Sequence, residues 1–292
     1  MIERCPLCAR PMRDRFRVRT FNVLRCDRCD LERAAPMPTE RELSALYASG
    51  YFSGEGHGYQ DYFGRERAIA DEKARVRMDA LERAGLERPA RVLEVGAADG
   101  RFLLEAARRG FDVTGVEWSR EAREASDEAV SERIFASLED ADGGQRDSSR
   151  RFDVFAAFDV IEHWRSPLEE LAKVRERLSE RALIAVVVPV IDNVNARAWP
   201  TSWDQYKPPE HLWFYSRKSI AKLIEQTLEA EVLSIECAWE RAARVTDAVW
   251  GRRNAAQRLE AAITRTLVRA GILAQHSIED SVLLIARRKA VR

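Results

Sequence analysis

Arg91-Val-Leu-Glu-Val-Gly-Ala-Ala-Asp-Gly100 places a short apolar run, an acid and a glycine-bounded loop before a helical pattern from Arg101 to Arg109. A strand that feeds a helix through such a loop turns backbone N–H groups toward a ligand at the helix start. Gly96 and Gly100 permit the tight turning and close approach that a side chain would obstruct. Glu94 sets this loop apart from a phosphate cradle. A carboxylate at the strand end repels phosphate and suits a cation, so the loop points to a positively charged nucleoside.

The sequence on either side extends the alternation. Phe111–Val116 is a second strand, and Glu117 at its end stands about 20 residues past the loop, where ribose hydroxyls are read. Trp118 offers a flat apolar face for a base, and Ser119 is placed to N-cap a helix reaching to about Val130. Arg133–Ala136 is a short third strand. Phe152–Phe158 carries almost no polar residue, as in a strand covered on both faces. Ser166-Pro-Leu-Glu169 has the form of a capping box with proline at the first helical position. Ala182–Val188, closed by Pro189, is a fifth buried strand, and Val232–Ala238 and Ser281–Ala286 supply the sixth and seventh. Strands alternating with helices at these intervals predict an α/β fold with a seven-stranded Rossmann-like sheet and helices on both faces.

Three features together carry a family resemblance: Val92-Leu-Glu-Val-Gly-Ala-Ala-Asp-Gly100, Glu117 at the next strand end, and Asp159-Val-Ile-Glu-His-Trp164 after the fourth strand. With them the chain resembles the class I S-adenosylmethionine (SAM)-dependent methyltransferases, in particular small-molecule enzymes of sugar, natural-product and ubiquinone-pathway type. The departure is Ala98 where the family has its middle glycine. It adds one methyl group, expected to tighten the pocket without closing it. The resemblance runs from about Pro89 to Arg288. It implies SAM held by Glu94, Gly96, Ala97, Ala98, Gly100, Glu117, Trp118, Leu138 and Asp159, with Ser137–Asp140 beside the adenine. His211-Leu-Trp-Phe-Tyr-Ser216 is similar to a His-x-x-Phe-x-Ser/Thr segment of the same relatives.

The N-terminus carries a separate module. Cys5-Pro-Leu-Cys8 and Cys26-Asp-Arg-Cys29 are two Cys-x-x-Cys knuckles, and four thiolates so arranged converge on one structural zinc ion. Redox dithiols would need a thioredoxin-like strand–helix context that is missing. Arg13, Arg15, Arg17 and Arg19 alternate with Asp14, Phe16 and Val18, which at strand period puts the arginines on one face of a hairpin. Such a face is either solvated or a grip for RNA or a phosphorylated substrate. Cys237 sits in an apolar strand pattern and reads as core. The expected organisation is a zinc ribbon over 1–35, an aromatic connector with lid-like helical segment over 36–88, and a methyltransferase domain over 89–292 with a helical insertion at 242–274. The connector, with Tyr51, Phe52, Tyr59, Tyr62 and Phe63 among glycines, suits either a lid that excludes water or a packing strap.

A chain of 292 residues with 46% hydrophobic content can bury a full domain core and a small module besides. Its formal net charge of zero disfavours a nucleic-acid partner. No apolar run has the length of a membrane span, and four cysteines reserved for metal leave no disulfide framework, so a cytoplasmic location is expected. Ile191–Glu210, with Trp199, Trp203 and Tyr206, is too long for a plain connection and reads as wall of a substrate pocket. Two histidines stand near the strand ends where ligands sit, His163 and His211, and a neutral imidazole can take a proton at pH 7. His211 is the preferred base because it opens the segment beside the aromatic loop. An alternative use is as metal ligands, since Asp159, Glu162, His163 and His211 offer mixed oxygen and imidazole donors to a second divalent ion. The expected chemistry is methyl transfer from SAM to oxygen or carbon of a small molecule. The alternatives are RNA modification through the ribbon, and a non-catalytic scaffold that binds the cofactor or metal. The 242–274 insertion suits a cap over the site or a homodimer contact.

Overall fold

The computed structural model of the protein describes residues 3–46, 67–142, 151–238, 266 and 280–290. The cysteine knuckles come first. Each is a tight turn closed by its own backbone, with Ala9 N–H donating to Cys5 O and Asp30 N–H to Cys26 O. Between and after them lie β1 (Arg13–Val18), β2 (Phe21–Arg25) and β3 (Glu32–Ala35), an antiparallel meander. The sulfurs of Cys5, Cys8, Cys26 and Cys29 all lie within 4.8 Å of one another. Helix α1 (Glu40–Leu46) follows, started by Thr39, whose N–H and hydroxyl both donate to Glu42 while its Oγ1 accepts Glu42 N–H.

The main sheet takes its strands from the rest of the chain. After α2 (Arg67–Arg83) come β4 (Arg91–Val95), α3 (Arg101–Arg108), β5 (Asp112–Val116), α4 (Arg120–Glu124), β6 (Ile134–Phe135), α5 (Leu138–Ala141), β7 (Phe152–Phe158), α6 (Pro167–Arg175) and β8 (Leu178–Pro189). Then α7 (Val194–Ala198), β9 (Trp213–Phe214), α8 (Arg217–Thr227), β10 (Ala230–Cys237) and β11 (Ser281–Arg288) complete the described elements. Seven strands run in the order β10-β11-β8-β7-β4-β5-β6. Only β11 opposes its neighbours.

The alternation of side chains along the central strands explains why both faces are covered. Phe155 and Ala157 of β7, with Ile184 and Val186 of β8, face Leu171, Ile220, Leu223 and Ile224 from α6 and α8. Val154, Ala156, Leu183 and Ala185 point the other way, against Met78, Leu81, Phe102 and Leu103 from α2 and α3. A strand apolar on both faces is the mark of such a doubly covered sheet. Arg101 reinforces the α2–α3 layer through a pair of contacts to Asp71.

Four expectations change. The helix after Ser119 stops at Glu124, although Ser119 caps it by accepting Ala122 N–H. Beyond it the Asp127 carboxylate accepts Ala129 N–H, a local turn that competes with helix continuation. Ser166 precedes α6 with proline at the first position, but its side chain makes no capping bond. The arginines of β1 do not share a solvated face: a bulge between Asp14 and Phe16 breaks the alternation. Arg15 turns inward to Glu32, and Arg19 lies in the following turn with φ 53° and donates to Pro208 O.

The fourth is the Ile191–Glu210 segment, which is neither disordered nor a pocket wall. Its Trp203 and Tyr206 form a small core with Val18, Val23 and Ala34 of the ribbon and Phe214 of β9. Strand β9 pairs antiparallel with β3, so the ribbon sheet has four strands, the last supplied by the larger domain.

The 242–274 insertion, residue 266 apart, and the aromatic residues at 51, 52, 59, 62 and 63 lie outside the described residues. Among the described residues no helix is long and apolar enough to cross a membrane. Phe155 sits fully buried in the central strand, so Phe155→Ala is expected to cost about 3–5 kcal/mol in urea unfolding; a loss below about 1 kcal/mol would show that this strand is not the centre of the core.

Candidate functional site

The carboxyl ends of β4, β5 and β7 open into a cavity of ≈ 830 Å³, within the range of small-molecule sites. The loop after β4 forms its floor. Gly96, Ala98 and Gly100 all adopt left-handed backbone, with φ 75°, 47° and 77°. At Gly96 a Cβ would come within 2.3 Å of Val160 Cγ2, so only glycine lets the two loops approach so closely. Ala98 holds the same kind of conformation with a side chain present, and its N–H donates to Glu117 Oε2 at 3.0 Å.

Three acids converge there. Glu94 is 4% exposed, and its Oε2 has no hydrogen-bond partner. Burial pushes its carboxyl well above the usual value of 4.5, opposed by the positive charge of Arg77 and reinforced by Asp99 and Glu117. Asp99 is 3% exposed with Oδ1 unpartnered, and burial raises it to about 6 against the pull of Arg101. Glu117 is held by backbone amides: Oε2 accepts Ala98 N–H and Oε1 accepts Ser119 N–H at 2.8 Å. Burial raises it, and those amides pull it back. Arg123 locks the turn by donating to Glu117 O and Trp118 O.

Of the residues expected to hold a cofactor, Glu94, Gly96, Ala97, Ala98, Glu117, Trp118 and Asp159 line this cavity. Leu138 lines a smaller adjoining space with Val95, Val116 and Trp164. Gly100 does not line it. It N-caps α3, its N–H donating to Ala97 O, and a Cβ there would meet Ile134; its contribution is the turn. Asp99 was missed as a site residue although it stands inside the loop. Its acidity was the available signal, and strand–loop spacing gives no indication of which loop side chain turns inward. Arg77 was missed too. It stacks over Phe158 at 4.0 Å and pairs with Asp159 at 3.4 Å, and only packing of α2 onto the sheet brings it there. Helix α1 adds Glu40, Leu43 and Ser44 as a roof.

The two histidines are placed in reverse of the expected preference. His163 lines the cavity. His211 is 3% exposed and stands edge-on behind it, ring centroids 4.6 Å apart, and is not part of the wall. The reason is strand pairing: β9 is drawn to the ribbon, and His211, two residues before it, follows inward. His163 Nδ1 lies 2.9 Å from Glu210 O and His211 Nδ1 2.9 Å from Gln205 O. A carbonyl only accepts, so both rings carry their hydrogen on Nδ1 and Nε2 is the basic nitrogen. Burial and the nearby Lys207 bring His163 down to about 3. Burial, His163 and Lys207 also push His211 well below its usual range. Both rings are neutral at pH 7.

Glu162 adjoins them, 1% exposed, with neither carboxylate oxygen hydrogen-bonded and its carboxyl raised well above the usual range by burial and by Asp159. Donor atoms of Glu162, His163 and His211 lie within 4.8 Å of one another. Asp159, expected to join them, is not in that set; it faces Arg77.

A family model described as a methyltransferase domain matches residues 64–227. A SAM-dependent methyltransferase from Archaeoglobus fulgidus superposes with a TM-score of 0.50 at 16% identity, covering 78% of this chain and 99% of that one. The magnesium protoporphyrin IX methyltransferase of Synechocystis PCC 6803, solved with bound SAM, superposes with a TM-score of 0.51 at 11% identity, covering 87% and 99%. At these identities the likeness is one of fold. No curated protein sequence matches the chain.

Glu94 is a group whose folded-state value is raised, so its contribution to stability is fully present below 4.5 and is lost as pH rises toward the folded value. Glu94→Gln removes that loss. In urea unfolding of the ligand-free protein, the variant should gain on the wild type as pH increases from 5 to about 8; a constant difference across that window would refute the assignment.

Proposed function

The chain belongs to the methyltransferase-domain family, and from that premise we propose that it transfers a methyl group from SAM to an oxygen or carbon of a small molecule. One observation supports this above the others: unpartnered carboxyl oxygens of Glu94 and Asp99 are buried at the strand ends, where a cationic ligand would replace the proton that burial otherwise holds there. SAM fits this donor set. Glu94 and Asp99 would face its positive charge, Glu117 would accept from the ribose hydroxyls, Trp118 would lie against the adenine, and Leu138 would close the adjoining space. When bound, SAM supplies an activated methyl on a sulfonium. The protein aligns the acceptor with that carbon and excludes water, α1 and Trp164 contributing cover.

His163 is the proposed base. Its Nδ1–H is fixed by Glu210 O, and its Nε2 would receive the proton that the acceptor sheds as its bond to the methyl forms and the methyl–sulfur bond breaks; burial makes this ring a weak base, suited to taking a proton the methylated acceptor is already releasing. His211 then serves to orient the neighbouring ring. A second reading of the same residues has one observation in its favour, the unsatisfied oxygens of Glu162 beside two neutral imidazoles. This donor set suits a divalent ion, which would leave His163 as ligand and not base. The Cys5, Cys8, Cys26 and Cys29 cluster fits a structural zinc ion, with four sulfurs converging and three of the cysteines buried. RNA as acceptor draws less support, because Arg15 is committed to buried Glu32 and Arg19 donates to Pro208 O, which breaks up the basic face.

The test uses SAM labelled in its methyl group, supplied with a small-molecule cell extract in one reaction and total RNA at low salt in another. Label should enter the small-molecule fraction alone, and His163→Gln should slow transfer about 10²-fold. Label in RNA would replace this reading by the RNA one. Loss of transfer on chelation, matched by Glu162→Gln, would replace the base by the divalent ion.

A further inference from the structure

The larger domain's aromatic segment is fastened to the cysteine ribbon at two points, and the carbonyls that orient both histidines lie beside or between them. The first point is Glu32, a carboxylate with no exposed surface. Its Oε1 accepts from Arg15 at 2.6 Å and Arg25 at 2.7 Å, and its Oε2 accepts from the Tyr206 hydroxyl at 2.6 Å. Arg15 also donates to that hydroxyl at 2.8 Å. The second point is the strand pairing, where Ala34 N–H donates to Leu212 O, and Leu212 N–H donates onward to Glu162 O. Gln205 O, which holds His211, is adjacent to Tyr206. Glu210 O, which holds His163, is two residues before Leu212.

The chemistry of this clamp matters. A buried carboxylate with three charge-assisted or short bonds is a stiff anchor, because each partner removed leaves charge uncompensated in a dry interior. Tyr206 is also wedged among Phe16, Trp203 and Phe214 with centroid separations of 4.9, 5.0 and 4.7 Å. The ring is therefore confined by packing and its hydroxyl by charge. The ribbon's cysteine end is joined to α8 as well, Lys222 donating to Cys29 Sγ at 3.3 Å and Lys218 pairing with Asp30. The cavity lining, by contrast, includes no residue of the ribbon strands; among described residues before position 67 only those of α1 take part.

We propose that Glu32 is a positioning residue, through which the cysteine ribbon fixes the orientation and Nδ1–H tautomer of His163 and His211 without touching the cofactor cavity. This gives the ribbon a task within methyl transfer that requires no nucleic acid. The inference rests on the reading of His163 as base. With the segment released, Glu210 O and Gln205 O no longer hold their places and each ring can turn or exchange its proton between nitrogens.

The experiment is nuclear magnetic resonance of protein labelled with ¹⁵N at histidine, in the full chain at pH 7, with the signals of His163 and His211 assigned by His→Gln substitution. Tyr206→Phe keeps the packing and removes the hydroxyl; Glu32→Gln keeps one acceptor, and Glu32→Ala removes both. The wild type should show both rings in the Nδ1–H form with slowly exchanging ring protons. Tyr206→Phe and Glu32→Ala should speed that exchange about tenfold and average the two tautomers, with Glu32→Gln between. Affinity for S-adenosylhomocysteine, measured by calorimetry on the same samples, should stay within about twofold. Unchanged histidine signals in Tyr206→Phe would overturn the proposal, even if Glu32→Ala does not fold. So would a fall in S-adenosylhomocysteine affinity in step with the signals, since the clamp would then support the fold as a whole. Neither result bears on whether His163 is the base, which is decided by transfer in His163→Gln.

Discussion

Three carboxyl groups, Glu94, Asp99 and Glu117, are buried together at the ends of β4 and β5, where Asp99 and Glu117 add to the burial that raises the proton affinity of Glu94. Placing negative charge in a dry cavity costs free energy unless something opposes it. The protein opposes it in part. Arg77 approaches Glu94 from α2, Arg101 opposes Asp99, and two backbone amides hold Glu117. Glu94 Oε2 and Asp99 Oδ1 are left without partners. Such an arrangement needs a large apolar sheet around it, and a cation in the cavity would relieve its cost. The turn at Gly96, the close approach of Val160 and Arg77 from α2 together enclose those acids.

The second organising contact is between the ribbon and the segment that ends in β9. A four-cysteine ribbon beside an enzyme domain invites the idea of a nucleic-acid grip, and the run of arginines in β1 strengthens it. The structure turns one of them, Arg15, inward, while Arg13 and Arg17 stay exposed. Arg15 neutralises Glu32, and Tyr206 shares the same carboxylate, so the charge that looked like a surface feature is internal wiring between two modules. A four-stranded sheet made by both modules makes the ribbon part of the domain's architecture.

Much of this was legible in the sequence. Seven strands, their order of appearance, the loop at Gly96–Gly100 and Glu117 at a strand end all follow from local pattern, because a doubly covered strand must be apolar throughout and a close turn needs glycine. The cysteine convergence was legible for the same reason: spacing alone dictates it. What was not legible depends on distant partners. His211 looked accessible beside an aromatic loop, yet that loop packs on Val18, Val23 and Ala34, residues more than 150 positions earlier. Arg77 and α1 reach the cavity only through helix packing. Asp159 and Glu162 share one string, but the left-handed backbone of Asp159, φ 58°, sends its side chain to Arg77 while Glu162 turns inward to the histidines.

The proposed role of the buried acids is to hold a cationic cofactor, and substitution of Glu94 probes that role. Calorimetric titration of SAM into the wild type and Glu94→Gln should show saturable binding to the first and at least about tenfold weaker binding to the second, since a charge-assisted contact is lost. No heat with the wild type, or equal affinity in the two proteins, would contradict the account.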